Sequence, residues 1–192
     1  MYKQCQTARS AARQRELEQG LLQIMQKKRY EDISVSDLCV ELGVPRKSFY
    51  RYFSGKDGAL YSLIDHALMD YDGFDIYREQ AQENQPLYYM EQVLLYWVGQ
   101  RQLLDTLEKS NLSGMLIQRA MAYSKNIDTI PRFMQITDPQ LREYGTMVTV
   151  CGLMTMIVRW HHDGFTKDPK EMAQLALRLF TQPLFSMRWE DL

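Results

Sequence analysis

Between Pro45 and Phe53 the chain reads Pro-Arg-Lys-Ser-Phe-Tyr-Arg-Tyr-Phe. Arg46, Lys47, Ser48, Tyr50, Arg51 and Tyr52 bring together bidentate donors, a point charge, hydroxyls and aromatic rings. A guanidinium can donate to O6 and N7 of guanine together, while hydroxyls and ammonium groups suit phosphate oxygens. Such a set reads or grips nucleic acid and breaks no bonds. For these side chains to act together they must share the outer face of one short helix whose inner face is anchored. Phe49 and Phe53, four apart, supply that anchor.

The elements that would position this helix are legible on either side. Ser34-Val-Ser-Asp37 has the form of a capping box, so a short helix is expected to start at Ser34, to turn Leu38 and Leu42 inward and to stop at Gly43. Cys39 offers a small side chain where two helices would cross, and Val44 joins the apolar side. The second helix is expected over Pro45 to Phe53, with Pro45 in its first turn. Ser54-Gly-Lys-Asp57 repeats the capping-box pattern and opens a further helix carrying Leu60, Leu63, Ile64, Ala67, Leu68 and Tyr71. Lys56 in its first turn could reach a phosphate alongside the helix's own N–H groups. Upstream, a helix over about Ser10 to Lys28 presents Leu17, Leu21, Ile24 and Met25 on one stripe, with Arg13, Arg15 and Glu18 expected in solvent.

The pattern is all-α: apolar residues recur at spacings of three and four, and strand alternation is hard to find. Further helices are expected at Leu87 to Lys109, Ser113 to Ser124 and Pro139 to His162. A final helix after Gly164 is the best delimited of all, with Asp168 as cap, Pro169 in the first position and Glu171 at N3. The polar stretch from Asp70 to Pro86 marks a junction between two regions. Net charge is −1 overall, yet residues 1–53 hold ten Lys/Arg against six Asp/Glu and the remainder thirteen against eighteen, so a basic head precedes an acidic body.

Three cysteines without CxxC spacing indicate neither a disulfide framework nor a zinc site, and a reducing cytoplasm is expected. No apolar run is long enough for a membrane span. His161-His162-Asp163 is a weak metal or catalytic pattern, because adjacent helical side chains point about 100° apart. No P-loop, HExxH or GxSxG motif occurs, so no enzyme, cofactor or metal is expected.

The run from Tyr30 to Asp57 resembles the DNA-binding head of the TetR/AcrR family of bacterial repressors, and the likeness extends over about Ser10 to Tyr71. The resemblance implies a three-helix head with a helix-turn-helix, followed by a C-terminal helical bundle for ligand binding and dimerisation, divided here as 1–55 and 56–192. It places Arg46, Lys47 and Tyr50 at base-contacting positions and Ser36 where the preceding helix also touches DNA. Ser48, Tyr52 and Lys56 fall at phosphate-contacting places. Tyr52 stands where the family most often has His, and Lys47 where a small residue is common. Both departures bear on base preference.

A single short helix reads too few base pairs for a unique address, whereas a two-fold dimer doubles the site at a spacing of about 34–36 Å. Gly145, Val148, Gly152 and Thr155 share one face of a long apolar helix, and Trp160 could cover the joint. The family resemblance implies a four-helix interface from the last two helices of each subunit, adding Leu175 and Leu179. Tyr96, Trp97, Met115, Tyr123 and Phe133 are the candidates for an adaptable apolar effector pocket. The expected function is therefore a homodimeric regulator of a palindromic double-stranded operator, a repressor released when an effector shifts the helix that begins near Lys56. The alternative is an activator or co-regulator working mainly through a protein partner, with no small-molecule effector.

Overall fold

The computed structural model describes residues 1–3, 5, 7–70, 86–125 and 137–182. Phe133, Tyr71 and most of the expected junction lie outside them. Regular structure among the described residues is helical apart from one isolated β-bridge between Tyr2 and Phe53. The helices are α1 (Ala8–Lys27), α2 (Val35–Glu41), α3 (Arg46–Tyr50), α4 (Lys56–Met69), α5 (Pro86–Gly99), α6 (Arg101–Lys109), α7 (Ser113–Ser124), α8 (Pro139–His162) and α9 (Pro169–Thr181), with a 3₁₀ turn at Tyr30–Asp32. None of them is long and apolar enough to cross a membrane.

The chain divides into two compact units: residues 1–70 with 102–123, and residues 71–101 with 124–192. In the first, α1 lies against α4 and α2 against α3. Leu21, Met25, Leu38, Phe49, Phe53, Leu60 and Ile64 form its core, each no more than 1% exposed. The stripe read on α1 is buried as expected, but Glu18, expected in solvent, is 1% exposed. Its carboxylate is satisfied from α4: Ser62 Oγ donates to Oε1 at 2.6 Å, and His66 Nδ1 lies 2.7 Å from Oε2. Gln14 extends the chain by donating to Ser62 at 2.7 Å and accepting from Cys5 Sγ at 2.7 Å. A buried carboxylate is tolerated only when its acceptor sites are filled, and here α4 fills them.

Two caps form as the sequence indicates. Ser34 and Asp37 exchange backbone–side-chain bonds at 3.0 and 3.1 Å, and Asp168 and Glu171 form the box at the start of α9. The box expected at Ser54 and Asp57 does not form. Gly55 is the N-cap of α4 without a side-chain bond, because Ser54 Oγ donates to the Met1 carbonyl and Asp57 accepts from the Tyr30 hydroxyl. Partners far along the chain outcompete the local ones. The single helix expected over Leu87 to Lys109 is instead α5 and α6, broken at Gln100, whose N–H is shared between the carbonyls of Tyr96 and Trp97. Gly99, a poor helix former, sits at the break, and the boundary between the two compact units falls just after Arg101.

The second unit joins α5, α8 and α9, with α5 laid chiefly against α9. Met90, Leu94, Trp97, Leu153, Ile157, Met172, Ala173 and Ala176 are buried there. At the end of α8 the chain turns through Gly164 and Phe165, both at positive φ. The Phe165 ring lies 4.7 Å from that of Trp160, and Arg101 sits over it at 4.7 Å, closing the turn with an aromatic and a cationic contact.

Candidate nucleic-acid interface

The α2–α3 corner is built as a rigid mount for one exposed face. Gly43 takes φ +62°, a conformation L side chains rarely adopt, and its neighbour Val44 donates back to the Cys39 carbonyl at 2.9 Å. Cys39, 3% exposed, lets the two short helices approach, and burial pushes its thiol pKa upward. Phe49 is fully buried, and its ring lies 5.1 Å from that of Phe53. One α3 face is therefore fixed by packing, and its dihedral freedom is already spent before any ligand arrives.

The other face is open. Arg46 and Lys47 are exposed, Tyr50 is 43% exposed, and Ser48 and Tyr52 are half-buried. Arg46 and Tyr50 are one turn apart, with the guanidinium 6.0 Å from the ring centroid. The Tyr50 hydroxyl beside it pushes the Arg46 pKa further up. A guanidinium held against an aromatic ring loses fewer rotamers on binding. Ser36 is exposed in the first turn of α2. In the same turn, the Ser34 hydroxyl and N–H hold the Asp37 carboxyl below its ordinary value.

Lys56, expected at a phosphate, makes different contacts. Its ammonium donates to the carbonyls of Tyr30 at 2.8 Å, Ile33 at 2.9 Å and Glu31 at 3.3 Å, and lies 4.5 Å from the Tyr30 ring centroid. These bonds tie the start of α4 to the 3₁₀ turn that leads into α2. The Tyr30 hydroxyl completes the tie on Asp57, and burial beside that carboxylate drives the phenol pKa well above its ordinary 10.0. The tie itself could not be read from the sequence, because its donors and acceptors are some 25 residues apart and three of the acceptors are backbone carbonyls.

Of the residues considered for an effector pocket, Tyr96 and Trp97 lie in one compact unit and Met115 and Tyr123 in the other. Trp97 is 3% exposed, the other three are half-buried, and burial raises the Tyr123 phenol pKa. Of the residues considered for a subunit interface, Val148 (62%), Leu175 (40%), Leu179 (36%) and Thr155 are exposed. Gly145 and Gly152 are half-buried, and a Cβ at Gly152 would lie 3.4 Å from the Phe180 ring of the same chain. Trp160 is 3% exposed and donates from Nε1 to the Lys167 carbonyl at 3.2 Å, so it covers a turn of its own chain. Leu141 and Tyr144, exposed on α8, extend the Val148 stripe; they were not among the interface candidates, although their three-and-four spacing was a readable signal. No group of three His, Cys, Asp or Glu arranged to hold a metal occurs among the described residues.

Residues 20–60 match the family model described as bacterial regulatory proteins, tetR family. The HTH-type transcriptional regulator EthR of Mycolicibacterium smegmatis (strain ATCC 700084 / mc(2)155) is 42% identical over 53 residues, a match spanning 27% of this chain and 24% of that protein. Among solved structures, a TetR transcriptional regulator from Streptococcus agalactiae 2603V aligns over 91% of this chain and 99% of its own at 16% identity, with a TM-score of 0.57. FadR of Thermus thermophilus, a TetR-family transcriptional repressor solved with lauroyl-CoA, aligns over 91% and 96% at 12% identity, with a TM-score of 0.54. At such identities the likeness to these structures is one of fold.

Proposed function

We propose that this chain is a transcription regulator of the TetR/AcrR family, whose model matches its residues 20–60, and that it acts as a homodimer on a palindromic operator, as a repressor released by a small-molecule effector. The observation that carries this is the two-sided α3: Phe49 is sealed in the core while Arg46, Lys47 and Tyr50 stand in solvent on the opposite face. Arg46 and Lys47 near the start of α3 meet base edges, and Tyr50 joins them. Ser36 also touches DNA from α2, while Ser48 and Tyr52 fix register on phosphates. Lys56 holds the 3₁₀ turn in place, and the N–H groups at the start of α4, which no side chain caps, could donate to a phosphate.

The functional division is into a DNA-binding head, 1–55, and an effector and dimerisation region, 56–192. The exposed stripe of Leu141, Tyr144, Val148 and Thr155 on α8, with Leu175 and Leu179 on α9, supports pairing of two copies through these helices. The residues offered for the effector are taken unit by unit: Tyr96 and Trp97 in one, Met115 and Tyr123 in the other, with Phe133 outside the described residues. Their aromatic and thioether character suits an apolar ligand, and the lauroyl-CoA held by the Thermus relative makes acyl thioesters a rational first class to screen. An effector regulates only through unequal affinity for the two spacings of the recognition helices, so tight binding alone is not sufficient.

The test is a gel-shift titration on the DNA upstream of the chain's own gene, with a scrambled duplex as competitor. Arg46→Ala is expected to lose about 1–3 kcal/mol of discrimination between the two duplexes while remaining folded. Equal discrimination by Arg46→Ala and the unsubstituted protein would sink the assigned role of α3.

A further inference from the structure

Residues 1–3 run antiparallel to the segment that ends α3. The Ser54 N–H donates to the Met1 carbonyl at 3.0 Å and the Lys3 N–H to the Tyr52 carbonyl at 2.9 Å, on either side of the Tyr2–Phe53 bridge. The Ser54 hydroxyl adds a second bond to the Met1 carbonyl at 2.8 Å. In such a pair, residues directly opposite each other point to the same face and successive residues alternate. Phe53 is buried, and Tyr2 turns inward with it, its hydroxyl donating to Asp65 at 2.6 Å. Alternation then places Lys3 on the outer face beside Tyr52, and Lys3 is exposed.

The clasp depends on a glycine. A Cβ at Gly58 would lie 2.3 Å from the Met1 carbonyl oxygen, a backbone atom that can move only if the segment moves. With Gly58 in place, Lys3 arrives with its backbone already paired. Some of the ordering cost that an unpaired segment meets on binding is therefore absent.

We propose that Lys3 is a further phosphate-contacting residue of this protein, delivered to the flank of Tyr52 by the clasp of residues 1–3. The proposal rests on the reading of α3 as the DNA-facing helix. An ammonium at that edge displaces one condensed counterion from the duplex, which strengthens binding without reading sequence.

The test is fluorescence anisotropy of tag-free protein with a short generic duplex over a series of salt concentrations. The unsubstituted chain, Lys3→Ala, Lys3→Arg and Gly58→Ala are compared after their helical content is matched by circular dichroism. Lys3→Ala and Gly58→Ala are expected to flatten the slope of log affinity against log salt by about 0.9 per protomer engaged, and Lys3→Arg to keep it. An unchanged slope for Lys3→Ala overturns the contact. An unchanged slope for Gly58→Ala, with Lys3→Ala flattened, overturns its delivery by the clasp. If the unsubstituted protein shows no salt-dependent binding, the reading of α3 itself fails and the contact with it, a result distinct from a selective failure of Lys3.

Discussion

Arg119 on α7 grips Asp65 on α4 at two points: Nε donates to Oδ1 at 2.6 Å, and a terminal nitrogen donates to Oδ2. Asp65 is 4% exposed and also accepts from the Tyr2 hydroxyl at 2.6 Å, while the guanidinium lies 5.2 Å from the Tyr61 ring centroid. The Asp65 carboxylate pushes the Arg119 pKa further up. Helix α7 is thereby pinned to the helix that follows the α2–α3 corner, inside one compact unit.

Removing one partner of this pair leaves a charge without compensation, and the cost follows from burial. Arg119→Met is expected to destabilise the fold by about 3 kcal/mol, the lower end of the range for buried pairs, because the arginine is 28% exposed. The double variant Asp65→Asn/Arg119→Met is expected to recover some of that loss. Urea midpoints at unchanged m-value measure both; additive losses would show that the two residues are not coupled.

The tyrosines predict the alkaline limb of stability. The phenols of half-buried Tyr2 and buried Tyr30, donating to Asp65 and Asp57, titrate well above their ordinary 10.0. The folded state therefore keeps protons that the unfolded chain releases, so these groups stabilise fully below pH 10 and their contribution falls away as pH rises beyond it. Spectrophotometric titration is expected to show at least two of the twelve phenols ionising only on unfolding, with Tyr30→Phe reducing that number by one.

Lys56 is expected to behave as a structural residue. Lys56→Met deletes charge-assisted bonds to three backbone carbonyls, and a loss of about 2 kcal/mol follows. A thermal melt taken before any DNA measurement checks it. A melt identical to that of the unsubstituted protein would return the ammonium to the phosphate role that its sequence position suggested.

The apolar stripe on α8 and α9 is expected to govern assembly. Val148→Glu with Leu175→Glu places charges on side chains that are 62% and 40% exposed, so the fold should tolerate them. Sedimentation velocity is expected to move from dimer toward monomer. A monomeric unsubstituted chain would remove the stripe from the interface.

The sequence by itself determined the helical class, the two-short-helix corner with its cap at Ser34, the cap of α9 at Asp168, the positive-φ turn at Gly43 and the division of α3 into an anchored and an exposed face. These follow from spacings within a turn or two, where periodicity and local hydrogen bonds decide the outcome. Tertiary structure decided the rest. Glu18 was drawn into the core because Ser62 and His66 arrive from α4 to satisfy it. Ser54 and Asp57 abandoned their local cap for Met1 and Tyr30, and Lys56 turned to the carbonyls ahead of α2. Lys3 joined the edge of α3 although 49 residues separate it from its partner Tyr52. A polar side chain takes whichever partner the folded chain brings within reach, and that choice is written in the packing of helices rather than in the residues beside it.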